Sequence, residues 1–526
     1  MPRGYAYRFR TFAVLLALAG MAFVALKLFV QTDGELFFTL DDPYIHLSLA
    51  ENLLRGHYGI NPGEYASPSS SILYPFLLAA TLAIGLGDWG ALALNVLPML
   101  GAVWILAGLL ARTRPRIELV LLLTLPLMIL AVNGYGLVFT GMEHPLHLLA
   151  SLLILAGVVR MVETAEPGQP PKVPAWMLAG LVLAPLLRFE GLALSLGGIV
   201  VLLSYRRFGA AIASLAAIVA AFAAHVSLML RLGLPPLPSS VMVKSEASAA
   251  ALDGAGTSLL TSMIDATSRV HNNEPARELV ISMLLILLAL FLPGHALRSR
   301  LTVGFLALFA GAAHMVLGKF GWFDRYEIYI AGTLLGALFW LAAPLIRRGN
   351  RAAAVFFLLI CLALGDNYQD STRKVPYAAQ NIRDQQWQMH RFATEFYPHP
   401  VALNDLGWVS YRNDTYVLDL WGLGSEEARR MAESGRTPEK MQDIVSRHGV
   451  GWAMVYPLWF KDEIPDSWCR IADLHTIQVT AAHGNVAFYL TDPTQENALR
   501  AALTRFQADL LPSTRLEIHA CAVDPA

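Results

Sequence analysis

Leu40 to Ser71 reads LDDPYIHLSLAENLLRGHYGINPGEYASPSSS and follows directly on the first membrane-length apolar run, Thr11–Val30. Two adjacent carboxylates, Asp41 and Asp42, therefore stand at a membrane exit. Pro43 suits the first turn of a helix because it has no N–H to leave unsatisfied, which puts Asp42 at the N-cap and leaves Asp41 without a capping duty. Ile45, Leu49, Leu53 and Leu54 recur at helical spacing, with His46, Glu51 and Asn52 off that stripe, and Gly56 offers a stop. This predicts a helix lying on the membrane surface with Asp41 turned toward chemistry.

Composition sets the class. Of 526 residues, 55% are hydrophobic and 15% charged, and the mean hydropathy is +0.49. A soluble domain would carry nearer ~25% charge, so this is a polytopic membrane protein in contact with a lipid bilayer. The net charge of -1 hides an asymmetry, because arginines cluster in short loops and acids collect in the others. That pattern orients membrane segments and makes nucleic acid a poor partner. Thr11–Val30, preceded by Arg3, Arg8 and Arg10, lacks a small-residue cleavage site and reads as a retained first helix.

Positive-inside logic puts the N-terminus in the cytoplasm and Asp41 outside. If Ile72–Gly85 spanned, Arg112, Arg114 and Arg116 would face the wrong side. That run is short and carries Pro75, which predicts a juxtamembrane or re-entrant helix. The later runs then fall into register near Leu92–Ala111, Ile117–Asn133, Pro145–Met161, Pro174–Leu187, Leu192–Ser204, Ala210–Leu230, Leu279–Pro293, Leu301–Leu317, Ile328–Ile346 and Ala352–Leu364. The expected fold is mainly α: a bundle of about eleven transmembrane helices with juxtamembrane helices in the first outside loop, followed by a small C-terminal α/β soluble domain. The expected division is 1–365 for the membrane domain and 366–526 for a periplasmic or extracytoplasmic domain, in an inner (plasma) membrane. Strands are expected at Val401–Leu403, Tyr416–Leu420 and Trp452–Tyr456, and helices at Glu426–Ser434 and Pro438–His448. Cys469 and Cys521 lie in this tail; an oxidising compartment lets them pair, and a reducing one leaves two thiols.

The outside loops collect the polar residues of the membrane half: Glu143 and His144, Arg188 and Glu190, Lys244, and Asp324, Arg325 and Tyr326. A carboxylate with Arg and Lys on neighbouring loops supplies a base and an anion clamp, which suits sugar transfer from a polyprenyl phosphate to a hydroxyl. Each group also has a plainer reading. Arg188 and Glu190 neutralise each other at a helix end, His144 begins a helix, Lys244 snorkels, and Tyr326 anchors an interface. No cysteine or histidine metal motif occurs, although Asp41 and Asp42 together would suit a divalent cation shared with a phosphate.

These residues also carry a family resemblance. The stretch DDPYIHLSLAENLLRGHYGINPGEYASPSSSILYPFLLA resembles the first outside loop of GT-C fold glycosyltransferases, especially the mycobacterial arabinofuranosyltransferase branch, with its Asp-Asp-x-Tyr-Ile helix and Ser-Pro segment. Thr140-Gly141-Met142-Glu143 is similar to that branch's small-Gly-hydrophobic-Glu loop, Arg188-Phe189-Glu190-Gly191 to its Arg-Pro-Glu-Gly, and Leu237-Pro238-Ser239-Ser240 to Lys244 to its Leu-Pro-Asn segment ending in Lys. Phe189 stands for Pro and Ser239 for Asn. The resemblance implies an inverting transferase on the non-cytoplasmic face, using a polyprenyl-phosphate sugar, a glycan, lipid or protein acceptor, and a first-loop Asp as general base. The competing expectations are a transporter or flippase of lipid-linked saccharides, which would place ionisable groups mid-span, and a scaffold whose tail binds envelope glycans.

Overall fold

The computed structural model describes residues 3–111, 118–166, 169–244, 270–271, 273–347 and 350–521. Arg112, Arg114, Arg116, Arg348 and the side chain of Lys244 lie outside the described residues. Among the described residues, fourteen helices build the membrane part: α1 Arg3–Gln31, α2 Asp42–Leu54, α3 Tyr74–Ala83, α4 Asp88–Leu110, α5 Glu118–Leu130, α6 His144–Glu163, α7 Ala175–Leu187, α8 Gly191–Ser204, α9 Phe208–Arg231, α10 Ser239–Lys244, α11 Glu274–Ala289, α12 Leu297–Leu317, α13 Ile328–Arg347 and α14 Arg351–Ile382. Among them seven helical stretches are long and apolar enough to cross a membrane, which makes this a multi-pass membrane protein. The shorter apolar helices α5, α7 and α8 complete the bundle. α3, from the Ile72–Gly85 run, has 10 residues, about 15 Å of helix and half a bilayer core. The most enclosed span is α13, 94% buried over its apolar window, and α6 packs beside it.

The surface helix predicted for the first loop is instead buried. Along α2, Tyr44, Ile45, His46, Leu47, Ser48, Leu49, Ala50 and Asn52 are all covered, because α3 and the tail close over both faces. The residues off the apolar stripe are satisfied locally: Ser48 Oγ donates to the Ser410 carbonyl at 3.0 Å, and Asn52 Nδ2 donates to the Gly59 and Ile60 carbonyls at 2.9 and 2.7 Å. A helix with polar groups on its second face can be buried when those groups find partners.

The tail forms one six-stranded sheet: β1 Val401–Leu403, β2 Val417–Asp419, β3 Trp452–Val455, β4 Cys469–His475, β5 Asn485–Leu490 and β6 Arg515–Ile518, in the order β2-β1-β3-β5-β4-β6. β1 runs parallel to β2 and β3, with Val401 opposite Val417 and Trp452. β5, β4 and β6 continue the sheet antiparallel. Short helices α15 Gly407–Ser410, α16 Glu426–Glu433, α17 Pro438–Arg447 and α18 Glu496–Ala508 flank it. The three expected strands and two expected helices are present; the antiparallel half was not foreseen. A disulfide joins Cys469 to Cys521 with Cα atoms 5.4 Å apart.

Asp366, the expected domain boundary, falls inside α14. The helical stretch runs on from Arg351 to Phe396, 46 residues in all, passing through π-turns at Arg383–Trp387 and Phe392–Phe396. The composition shift at Asp366 reports where the chain leaves apolar surroundings; the helix itself has no reason to end there. The seam between bundle and tail is aromatic: Tyr44 and Trp408 have ring centroids 4.3 Å apart, and Phe37 packs on Trp408 and Trp387. Such pairs add about 0.5–1.5 kcal/mol each beyond their buried area.

Candidate active site

The two adjacent aspartates part company at the start of α2. The helix begins at Asp42, with Asp41 at the N-cap position, and no side chain caps it. The N-cap position thus falls to Asp41, one residue before the expected Asp42. Asp41 is 7% exposed and its carboxylate accepts the amide N–H groups of Gly407 at 2.6 Å and Trp408 at 2.8 Å. It thereby binds the first turn of α15 in the tail. Burial, then the nearby charge of Asp405, pushes its carboxyl well above the usual range, against the pull of those two amides. Burial also raises Asp405, which accepts from Gln386 Nε2 and Tyr456 Oη, both at 2.8 Å.

Asp42 instead lines a cavity of about 460 Å³. Its carboxylate is ion-paired with Arg325 Nη2. With Asp41 turned to the tail and Asp42 to Arg325, the pair does not converge on one cation. Among the described residues no group of three or more His, Cys, Asp or Glu is placed to hold a metal ion.

The cavity is lined by both polar and apolar side chains: Asp42, His46, Arg188, Glu190, Lys319, Arg325 and Tyr326 among the former, and Phe189, Leu192, Leu196, Phe309, Ala313 and Leu317 among the latter. The two arginines sit over the Tyr326 ring, Arg188 at 5.1 Å and Arg325 at 5.0 Å from its centroid. Their states of pairing differ. Arg188 donates to Glu143 Oε1 at 2.7 Å and, through Nε and Nη2, to Glu190 at 3.2 and 2.9 Å. Burial opposes its charge, but the two carboxylates outweigh burial and raise its pKa. Burial likewise acts to raise Glu190, yet Arg188 overcomes it and brings that carboxyl down to about 2. Arg325, 2% exposed, spends Nη2 on Asp42 and on Tyr326 Oη. Its buried Nε and Nη1 have no hydrogen-bond partner among the described residues.

Of the remaining predicted residues, Glu143 and His144 lie beside this cluster. Glu143 is fully buried behind Arg188, and His144 packs edge-on against Tyr326 at 5.6 Å. Asp324 does not reach the cavity. Its carboxylate accepts from Ser371 Oγ and its carbonyl from Asn133 Nδ2 at 3.3 Å. The cause is backbone: Trp322, Phe323 and Asp324 have φ of +49°, +64° and +49°, a left-handed turn that sends Asp324 and Arg325 in different directions. Glu327 closes this turn by accepting the Gly321 amide at 3.2 Å; burial first, and Asp324 second, push it up to about 8. Sequence reasoning missed His46 and Lys319. The signal for Lys319 in the sequence is the loop it shares with Arg325, and for His46 its place one turn along α2 from Asp42.

A sequence family described as "Domain of unknown function (DUF8728)" matches residues 380–489, within the tail. No curated protein matches the chain. Among solved structures the chain is similar to ArnT from Cupriavidus metallidurans bound to undecaprenyl phosphate, at 12% identity and a TM-score of 0.47, over 91% of this chain and 98% of that one. It is also similar to the Archaeoglobus fulgidus oligosaccharyltransferase in complex with Zn and sulfate, at 10% identity and a TM-score of 0.45, over 95% and 74%.

Proposed function

We propose that this chain is a GT-C type membrane glycosyltransferase that moves a sugar from a polyprenyl-phosphate donor to an acceptor hydroxyl on the non-cytoplasmic face, with inversion. The observation that carries the reading is Arg325: a buried guanidinium with two nitrogens unpartnered among the described residues, beside a carboxylate, in the wall of a cavity that also has apolar lining. A lipid phosphate matches each part. Its oxygens accept charge-assisted bonds from Arg325 and Lys319, and its isoprenoid chain lies along Leu192, Leu196, Phe309 and Leu317. Asp42, rather than Asp41, is the first-loop carboxylate at the reacting centre and takes the acceptor's proton. Arg188, already matched by Glu143 and Glu190, shapes the wall. The Cys469–Cys521 disulfide supports an oxidising compartment for the tail.

The purified protein in nanodiscs is expected to bind undecaprenyl phosphate, and a strain lacking the gene to lose one glycan, glycolipid or glycoprotein product by mass spectrometry of its envelope. Failure to bind the lipid phosphate, with an unchanged envelope, refutes the reading.

A further inference from the structure

The turn that joins α8 to α9 lies at the end of the bundle away from the cavity, because α7 reaches the cavity at Arg188 and α8 leaves it at Glu190. At this far end Lys172 and Val173 of the linker before α7, together with Arg206, Arg207, Phe208, Gly209 and Ala210, line a groove of about 600 Å³. Three basic side chains and no carboxylate are among its described lining residues. Arg207 Nε donates to the Pro171 carbonyl and Nη2 to the Pro170 carbonyl at 2.7 Å, which ties the linker to the turn and holds Lys172 in the same groove as Arg206. A fourth cation meets this turn: Arg298 Nη2 donates to the Ser204 carbonyl at 2.7 Å, with its guanidinium 4.3 Å from the centre of the Tyr205 ring. The partners of Arg207 and Arg298 are thus neutral, and the exposed side chains of Lys172 and Arg206 have none among the described residues. Arg206 has φ of +56°, uncommon outside Gly, Asn and Asp, and an arginine held there points to a task for its side chain.

We propose that this groove binds the headgroup phosphate of an anionic phospholipid in the leaflet opposite the cavity, with an acyl chain laid along α9. The site stands apart from the transferase cavity and does not depend on its chemistry. A headgroup phosphate accepts charge-assisted bonds from Lys172 and Arg206, and basic pockets between spans at the membrane surface suit such headgroups. The helix below decides between a lipid and a free anion. Phe208, in the groove wall, begins a row continued by Ile212, Leu215 and Val219, all exposed on one face of α9, whereas Ala211, Ser214 and Ile218 are buried on the other. The row is about 16 Å long, close to the hydrocarbon depth of one leaflet. A free anion has no use for it; a diacyl lipid covers it.

The test uses the full chain, with native mass spectrometry counting the lipid retained from equal mixtures of phosphatidylglycerol and phosphatidylcholine. The native protein is expected to prefer phosphatidylglycerol. Lys172→Gln combined with Arg206→Asn removes both unpartnered cations, and Asn accepts the left-handed backbone. The preference is expected to fall about 25-fold, roughly fivefold for each basic residue near a membrane surface, with an unchanged melting temperature and unchanged undecaprenyl phosphate binding. Millimolar inorganic phosphate is expected not to displace the retained lipid. Equal retention of the two lipids by the native protein overturns the proposal, whatever the variant does. So does a folded variant that keeps the native preference, and displacement by inorganic phosphate marks a simple anion site and overturns it as well.

Discussion

The seam between bundle and tail and the wall of the cavity both bury carboxylates, yet they treat them differently. At the seam, Asp41 is gripped by two backbone amides of the tail, and Asp405 by Gln386 and Tyr456. At the cavity, Asp42 meets a guanidinium with two nitrogens unpartnered among the described residues, and behind Arg188 the buried Glu143 has one oxygen in the same condition. A carboxylate whose donors come from the backbone of the fold suits assembly, whereas buried groups left unmatched beside a cavity suit a ligand. Neighbouring residues thus meet different surroundings.

The strongest way to break this contrast is to exchange the two amides for the two acids. Asp42→Asn is expected to reduce product formation by about 10²–10⁴-fold while leaving the melting temperature of the protein near native. Equal losses from Asp41→Asn and Asp42→Asn would erase the distinction. Next in size, Arg325→Ala removes both the anion donors and the partner of Asp42. Lipid-phosphate affinity should fall by about 2–4 kcal/mol, read as a 30- to 1000-fold weaker undecaprenyl phosphate titration, with Arg325→Lys recovering part of it.

On the seam side, opening the disulfide by Cys521→Ser frees a loop of sequence separation 52, expected to cost the tail about 2–5 kcal/mol and read as earlier thermal unfolding with little change in lipid-phosphate binding. Asp41→Asn keeps one acceptor oxygen for two amides, so a loss of about 1–3 kcal/mol is expected, seen as faster amide exchange at Gly407–Ser410. The smallest effect concerns pH. Burial raises Asp41 and Asp405, so their contribution to stability is complete below the ordinary carboxylate range and is lost as pH rises through their folded values. Glu327, raised to about 8, sets a window from ordinary glutamate values up to that point. Stability should decline across it, and Glu327→Gln should flatten the slope; a native protein that grows more stable over the same window would reverse the sign.

Much of the bundle was legible because membrane spans are encoded by length and charge alone, and α3 betrayed itself by being short. The cavity was legible in part: Asp42, Arg188 and the adjacent Arg325 and Tyr326 come from three loops that positive charge assigns to one face, and they line one cavity. What remained hidden depended on contacts between distant parts of the chain. Nothing near Asp41 says that Gly407 and Trp408 will claim it, and only their claim decides which aspartate faces the cavity. Asp324 was lost to a left-handed turn, in which φ is a property of the fold more than of the residue types. The tail's parallel half announced itself by apolar runs, whereas β4 (CRIADLH) and β6 (RLEI) carry charged residues and become recognisable as strands only once they are paired beside β5.

The unbroken stretch from Arg351 to Phe396, roughly 70 Å at 1.5 Å per residue, gives bundle and tail a common mechanical axis. A flexible tether would let the tail tumble freely; a helix pinned along α1 and α5 at one end and stitched through Gln385 and Gln386 at the other makes it a lever. Torque applied to the tail by a bulky envelope polymer would be delivered into the membrane, to the bundle that carries the cavity.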